Sequence, residues 1–204
     1  LIKGTVKVGD NLSFIVNEQN RKDICANHSV THLLHRALRD VLGEHVTQKG
    51  SAVGPDRMRF DISHPKQVTA EEIRQVENIV NNAIRHNYKV TTTMMSQEDA
   101  IKSGAMALFG EKYGDEVRVV SMGDDKELFS RELCGGTHVK ETGDIGYFNI
   151  VSESAVAAGI RRLECLTGRG AEKFVQDIED KLHAASNILK TNPNDLENRI
   201  KQLL

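Results

Sequence analysis

Residues 27–43, NHSVTHLLHRALRDVLG, decide how the first half of the chain folds. Apolar side chains recur here at intervals of three and four residues, which is the spacing of one buried face of an α-helix. Gly43 predicts the end of that helix, and Asn27 is the residue that we expect at its N-cap. The apolar face consists of Val30, Leu33, Leu34, Ala37, Leu38, Val41 and Leu42.

The segments after this helix predict an α+β fold. The capping box of Thr69 with Glu72 begins a second helix, and Ser96 with Asp99 begins a third, which we expect to end near Gly110. Alternating apolar residues separated by turn residues then predict strands. Strands are predicted at 58–63, 88–95, 116–122, 127–133, 145–152 and 160–167. Because the helices come first and most strands come later, we expect a largely antiparallel sheet with packed helices.

The N-terminal segment differs from the rest of the chain. Residues 1–18 alternate and turn at Gly9 and Asp10, which predicts a β-hairpin. Since two strands rarely form a stable structure alone, we interpret residues 1–20 as a short β remnant of a β-rich neighbouring domain. The sequence opens at Leu1 without a methionine, and we therefore expect it to be a piece of a longer protein.

Residues 169–204 predict a helical tail after a central domain of residues 21–168. Asn192 and Pro193 divide the tail into two helices. Its charged first helix carries one narrow apolar stripe, which permits two interpretations: packing on its own domain, or a helical arm or coiled coil that continues in a longer chain. The stripe consists of Phe174, Val175, Ile178, Leu182, Ala185 and Leu189.

The composition excludes several classes of protein. The 204 residues are 39% hydrophobic and 27% charged, which suits one large domain with an appendage. There is no run of about eighteen apolar residues and no targeting segment, so we expect no membrane contact. Three cysteines without disulfide-framework spacing favour a cytoplasmic location. The net charge of −2 lacks a basic excess, so any contact with RNA is expected to be local.

The first helix carries two histidines that can share a metal ion. His28 and His32 are four residues apart, so both imidazoles lie on one face of the helix, one turn apart. Cys25 lies three residues before His28 and is either a further chelating residue or a small buried residue before the helix. We interpret His35, three residues after His32, as a flanking residue of the helix surface.

A second pair of metal-ligand side chains lies about a hundred residues later. Cys134 and His138 are separated by three residues in a glycine turn after a predicted strand. Gly135 and Gly136 permit a tight turn and a close approach by a ligand. Together with the two helix histidines they offer three ring nitrogens and one sulfur, a full tetrahedral set, for which zinc is the expected metal.

Five segments together resemble the editing domain of alanyl-tRNA synthetases. The same type of domain occurs in free-standing alanyl-tRNA editing proteins, and a related one occurs in threonyl-tRNA synthetases. The resemblance covers nearly the whole chain and includes the helical tail that leads towards the C-terminal domain of the synthetase. The segments are NHSVTHLLHRAL (27–38), QKGS (48–51), ALFGEKYG (107–114), RELCGGTHV (131–139) and AGIRRLECLTG (158–168).

This resemblance implies one Zn²⁺ ion and the hydrolysis of Ser-tRNA(Ala) and Gly-tRNA(Ala). Gln48 matches a position near the editing pocket. Thr31 is either a hydrogen-bond partner of the serine hydroxyl or a packing residue that bonds back to its own helix. The residues that match the zinc ligands of the family are His28, His32, Cys134 and His138.

The same resemblance implies partners. We expect mischarged tRNA(Ala), the remainder of the synthetase chain and a homo-oligomer formed through the C-terminal region as partners. Lys49, Arg161 and Arg162 are candidates for contact with terminal phosphates, and a solvated surface is the other interpretation. If the strand alternates, one of the two adjacent arginines points away from the other.

Three functions remain open at the level of sequence. The first is an editing hydrolase within a synthetase, which the start at Leu1 and the helical tail both favour. The second is a free-standing editing enzyme with the same chemistry. The third is a zinc-stabilised module that binds tRNA without hydrolysing it, because four protein ligands also describe a structural zinc site.

Overall fold

The first helix, α1, spans Glu18–Leu42 in the computed structural model, which describes residues 3–106, 114–124 and 126–204. The predicted apolar face is confirmed from Val30 to Leu38, where every member is fully buried. The helix ends at Gly43 as predicted, with a backbone φ of 114°. Its N-terminus was wrongly predicted: Asn17, not Asn27, is the N-cap residue. Asn27 lies inside the helix, where its buried amide donates to a loop carbonyl at 2.9 Å.

The remaining elements form two antiparallel sheets with helices packed against them, which confirms the α+β fold. One sheet has the strand order β1-β2-β7-β6, and the other has the order β3-β4-β5. The helices after α1 are α2 (Ala70–His86), α3 (Gln97–Lys102), α4 (Gly168–Ile188) and α5 (Leu196–Leu203). The strands are β1 (Gln48–Val53), β2 (Met58–Ser63), β3 (Val90–Ser96), β4 (Glu116–Gly123), β5 (Leu128–Leu133), β6 (Phe148–Ala157) and β7 (Ile160–Thr167).

The main core lies between α1, α2 and the four-stranded sheet. Phe60 of β2 and Phe148 of β6 are its largest fully buried side chains. A smaller apolar cluster that includes Val117, Val119 and Leu133 lies against the three-stranded sheet. Since α1 packs on α2 and also contacts β5, side chains of this helix can meet residues at the end of the second sheet.

Local capping signals define α2 and the start of α3. The predicted capping box is present: Glu72 N–H donates to Thr69 Oγ1 at 3.2 Å, and Thr69 N–H donates to the Glu72 carboxylate at 2.8 Å. The N-cap of α3 at Ser96 is also confirmed. However, α3 ends at Lys102 rather than near Gly110, because Gly104 adopts a positive φ of 80° that interrupts the helix. Gly110 itself lies outside the described residues.

The hairpin predicted for residues 1–18 is wrong over residues 3–17, which contain no strand. A turn does form at the predicted glycine, with Asp10 N–H donating to the Lys7 carbonyl at 3.1 Å. No strand ladder forms beside it because these residues have no sheet or core to pack on, and Phe14 is 88% exposed. The assignment to a β-rich neighbour stays a prediction.

The helical tail begins at the predicted position and is divided as predicted by a short 3₁₀ turn at Pro193–Asp195. Among the residues of α4, only Ala171 and Ser186 are buried, and Ile178 and Leu182 are largely exposed. The described residues cover the apolar stripe only in part, since Phe174, Val175, Ala185 and Leu189 are half-buried. The choice between packing on the same domain and an arm stays a prediction. Within the same part of the chain, no helix is long and apolar enough to cross a membrane.

Candidate metal centre

The four residues predicted as metal ligands meet in space. The donor atoms of His28, His32, Cys134 and His138 all lie within 4.8 Å of one another. The Cys134 Sγ atom is 3.5 Å from His28 Nε2 and 3.3 Å from His138 Nε2. Residues separated by more than a hundred positions in sequence thus form one cluster, with α1 supplying two donors and the turn after β5 supplying the others.

The environment of His32 fits a metal ligand. Its Nδ1–H donates to a carboxylate oxygen of Glu132 at 2.7 Å, which fixes the ring orientation. Its Nε2 atom is buried and has no hydrogen-bond partner among the described residues. A buried nitrogen without a partner is costly unless it binds another group, and a metal ion shared with the neighbouring donors is such a group. Three imidazoles and one thiolate suit tetrahedral Zn²⁺.

Glu132 is a hydrogen-bond partner of the cluster that the sequence reasoning missed. It is only 2% exposed, and its second oxygen accepts a hydrogen bond from His35 Nδ1–H at 3.1 Å. The interpretation of His35 as a surface residue is wrong, since it is 3% exposed and lies against this carboxylate. The signal was present in the spacing: Glu132 and Cys134 are two residues apart along one strand direction, so both point to the same face.

Burial and charge act in opposite directions on the buried pair of His32 and Glu132. Burial alone lowers the pKa of His32, but the adjacent Glu132 carboxylate and the Cys134 sulfur together outweigh burial and raise that pKa above its usual range. Burial alone raises the pKa of Glu132, but His32 and then His35 outweigh burial and lower it. The carboxylate is therefore ionised at neutral pH and can hold the histidine in one orientation.

Cys134 is set up as a thiolate. Burial raises the pKa of its thiol, but hydrogen bonds from His138 and His28 together with the nearby His32 ring outweigh burial and lower that pKa to about 3. The thiolate is the form of cysteine that binds metal ions. The sulfur is consequently in its ligand form throughout the physiological pH range.

The glycines of the turn have different roles. A Cβ atom on Gly136 would overlap with the His28 ring, whereas a Cβ on Gly135 would meet no heavy atom within 4 Å. Arg118 of β4, which the sequence reasoning also missed, donates to the carbonyl oxygens of Cys134 at 2.8 Å and of Gly136 at 2.5 Å. The guanidinium group of Arg118 therefore holds the turn in place. A glycine is required at position 136 because the His28 ring lies directly against it.

Ser29 holds the last donor of the turn. His138 Nδ1 lies 3.2 Å from Ser29 Oγ, and the N–H of Val139 donates to the same oxygen at 3.0 Å. With Nδ1 engaged by the hydroxyl, His138 presents Nε2 to the cluster. A side chain of α1 therefore orients a donor from the turn.

A cavity of about 240 Å³ opens beside the cluster and contains two further predicted residues. Thr31 and Gln48 line it together with His28, His32 and Cys134. The Thr31 hydroxyl donates to the carbonyl oxygen of His28 at 2.6 Å, which is the bond back to its own helix that one of the two interpretations of this residue expected. Gln48 stands at the start of β1, a strand that the sequence reasoning did not predict.

The predicted phosphate-contact residues lie elsewhere on the four-stranded sheet. Arg161 donates to both carboxylate oxygens of Glu153, at 2.5 and 2.6 Å. Arg162 donates to both carboxylate oxygens of Asp61, at 2.8 and 2.9 Å. The two arginines thus pair with different carboxylates, and both guanidinium groups are occupied.

Three other predicted features have clear positions. Lys49 lies in β1, at an irregularity in its pairing with β2. Cys25 lies within α1 rather than before it, and it is not one of the four clustered donors. Cys165 is fully buried in β7 as expected, where burial raises the pKa of its thiol.

Comparison with known proteins identifies the relatives of this chain. Residues 117–164 match the family model described as threonyl and alanyl tRNA synthetase second additional domain. The alanine–tRNA ligases of Chelativorans sp. (strain BNC1) and Parvibaculum lavamentivorans are 53% and 56% identical to it, over 99% and 100% of the chain. That of Polynucleobacter asymbioticus is 55% identical over 100% of the chain. The resemblance to alanyl-tRNA synthetases is confirmed.

The chain spans 23% of the length of each of these alanine–tRNA ligases. The match to the second additional domain includes Cys134 and His138. The other two donors, His28 and His32, lie outside the matched residues. The ALFGEKYG stretch that contributes to the resemblance lies outside the described residues except for Gly114.

Proposed function

We propose that this chain is the editing segment of an alanine–tRNA ligase, which hydrolyses Ser-tRNA(Ala) and Gly-tRNA(Ala). The observation that carries the proposal is the convergence of four metal donors beside a cavity lined by Thr31 and Gln48. The similarity of the whole chain to alanine–tRNA ligases supports it, since the chain spans 23% of those longer proteins. The same similarity favours an activity within a synthetase over a free-standing enzyme, with the remainder of the synthetase chain as a partner in the cytoplasm.

An alanine–tRNA ligase needs such a second site for a physical reason. A pocket that accepts alanine cannot exclude the smaller glycine by size. It also rejects serine only weakly, because one added hydroxyl changes the binding free energy by a small amount. A separate hydrolytic site that accepts the wrong esters corrects both errors.

Selection of the seryl ester is assigned to Thr31. Because its hydroxyl hydrogen is donated to the His28 carbonyl, the Oγ1 atom is oriented to accept a hydrogen bond from a serine hydroxyl in the cavity. An alanyl ester has no hydroxyl to donate and loses this contact. Gln48, whose amide donates to Ser51 Oγ at 3.3 Å, offers its carbonyl oxygen to the same cavity.

The metal site is assigned to zinc, with the four clustered residues as its ligands. When bound, zinc supplies Lewis-acid chemistry that favours attack of water on an ester carbonyl. The protein contributes the orientation of the donors: Glu132 fixes His32, and Ser29 fixes His138. The cavity beside them, with a volume of about 240 Å³, has room for an aminoacyl group.

One observation favours a second candidate function. Four protein donors can complete a tetrahedral zinc site and leave no position for substrate, as in structural zinc sites. The chain would then be a zinc-stabilised module that binds tRNA without hydrolysing it. The two candidates differ in whether the ester is cleaved.

A deacylation assay separates them. The 204-residue chain, loaded with zinc and used at high concentration, is expected to release serine from Ser-tRNA(Ala) and to leave Ala-tRNA(Ala) intact. Cys134→Ala is expected to lose both zinc, measured as bound metal per chain, and deacylation. The matched control Cys165→Ala removes a buried thiol outside the cluster and should retain both. Absence of release from either ester by the zinc-loaded chain would contradict the editing proposal and favour the binding module.

A further inference from the structure

A buried histidine outside the donor set is connected to the metal centre through another side chain. His35 follows the donor His32 by three residues on α1, and it is not one of the four clustered donors. Its Nδ1–H donates to Glu132 Oε1 at 3.1 Å, while His32 Nδ1–H donates to Glu132 Oε2 at 2.7 Å. The three residues therefore form one hydrogen-bonded chain that ends at a metal donor.

The burial of His35 has a cost in stability. The residue is 3% exposed, and its Nε2 atom has no hydrogen-bond partner among the described residues. A buried polar atom without a partner is unfavourable, and an apolar side chain at this position would avoid that cost. The contact that a histidine gains here is the hydrogen bond from Nδ1–H to Glu132, so the position serves to hold that carboxylate.

Two donors fix the Glu132 carboxylate better than one donor does. The last torsion of a glutamate side chain has a broad energy minimum, so a single hydrogen bond restrains the carboxylate only weakly. Glu132 is bonded at both oxygens, by histidines from neighbouring turns of the same helix. Rotation of the carboxylate would lengthen one bond or the other. The bond from His35 therefore holds the oxygen that faces His32.

The His35 ring is itself held by the main core. Its centroid lies 5.9 Å from that of the Phe60 ring, with an angle of 55° between the two planes. Phe60 is fully buried in β2. Aromatic rings in a closely packed core have little freedom to move. The four-stranded sheet thus fixes His35, and His35 in turn fixes a residue of the three-stranded sheet.

We propose that His35 is a positioning residue of the metal centre, which orients the donor His32 through Glu132. This role rests on the zinc ion that is assigned under the proposed function, and it concerns a residue that binds neither the ion nor the substrate. Loss of the His35 donor should weaken zinc binding only while Glu132 is present. A residue that merely supports the fold would weaken zinc binding whether or not Glu132 is present.

The test combines two substitutions in the whole 204-residue chain. His35→Leu removes the donor and places an apolar residue of high helix propensity at the buried position. Zinc affinity, measured by competition with a chromophoric chelator, should fall about 10-fold, the lower end of the loss expected for an outer-shell partner. In a chain that carries Glu132→Ala, the same substitution should change zinc affinity by less than about 2-fold, because the residue through which His35 acts is missing.

A conservative variant separates the hydrogen bond from packing. Asparagine places an amide N–H near the position of the imidazole Nδ1–H, so His35→Asn should recover most of the zinc affinity that His35→Leu loses. This comparison does not require the Glu132→Ala chain to fold. Circular dichroism and thermal unfolding of the zinc-free proteins check that each variant is folded.

His64→Leu is the matched control. It removes another buried histidine, whose Nδ1 lies 2.9 Å from His45 Nε2 and which is not one of the clustered donors. This variant should bind zinc like the wild type. A loss of zinc affinity equal to that of His35→Leu would show that any buried histidine has the same effect, and it would overturn the inference.

The remaining outcomes distinguish the role of His35 from the proposed function. Equal losses from His35→Leu with and without Glu132, or no recovery in His35→Asn, would overturn the inference. A wild-type chain that binds no zinc would overturn it together with the zinc assignment. If zinc affinity follows the expected pattern while no protein cleaves Ser-tRNA(Ala), the role of His35 stands and the proposed hydrolysis fails. If the wild type cleaves the ester and His35→Leu binds zinc equally tightly, the proposed function stands and the role of His35 fails.

Discussion

The two halves of the metal centre are held in place by different forces. The helix half, His28 and His32, lies on α1, which is anchored by fully buried apolar residues such as Leu33 and Leu34. The turn half, Cys134 and His138, lies in irregular chain that is held by single polar contacts. Apolar packing is spread over many atoms, whereas a hydrogen bond or a missing Cβ acts at one point. The turn half should therefore be the more sensitive to single substitutions.

The largest loss of zinc affinity is expected from a substitution of Gly136, which lies against the His28 ring. Gly136→Ala would place a methyl group in the space of the His28 ring, so the ring must move away from the other donors. Zinc affinity, measured by competition with a chromophoric chelator, should fall by more than the roughly 10- to 100-fold that loss of an outer-shell contact costs. Gly135→Ala is the matched control, since its Cβ would lie in open space. Equal losses in the two variants would show that the turn responds to any added side chain.

A smaller loss of zinc affinity is expected from a substitution of Glu132, which links the turn half to His32 of the helix half. Glu132→Gln keeps the shape of the side chain but removes the charge that accepts hydrogen bonds from His32 and His35. Zinc affinity should fall about 10- to 100-fold because His32 is less firmly oriented. The free energy of unfolding of the zinc-free protein should also fall near neutral pH, since the buried histidines lose their ionised partner.

The variant Glu132→Asp provides the control for this pair. It restores the charge with a shorter side chain and should recover part of the zinc affinity. Zinc affinity as high in Glu132→Gln as in the wild type would mean that packing alone orients His32. That outcome would mean that apolar packing, rather than single polar contacts, positions the donors throughout the site.

The sequence predicted those parts of the fold that depend on local signals. The capping box at Thr69, the N-cap at Ser96 and strand β7 at 160–167 all rest on a few neighbouring residues and are confirmed. The hairpin at the N-terminus also has local signals, but strand pairing needs a core to pack on, and residues 3–17 have none among the described residues. Strand β1 was missed because QKGSAV contains no alternating apolar residues and none of its side chains is fully buried.

The site residues could be predicted where a short sequence motif contains the donors themselves. The four donors were predicted from two short spacings, one on a helix and one in a turn. Glu132, His35 and Arg118 were missed as contributors because their roles depend on how the second sheet meets α1, which spacing alone does not reveal. The partners of Arg161 and Arg162 were likewise set by strand register, which placed a carboxylate within reach of each.

The smallest effect on zinc is expected from a core substitution in the helix half. Val30 is fully buried and lies between the two helix histidines in sequence, so Val30→Ala should cost about 2 kcal/mol in the free energy of unfolding. Alanine is also a strong helix former, so α1 should keep its path and the positions of His28 and His32. We expect zinc affinity within about 2-fold of the wild type, measured under conditions where circular dichroism shows a folded chain. A loss as large as that of Gly136→Ala would show that core packing sets the donor geometry as finely as the turn does, and the contrast between the two halves would not hold.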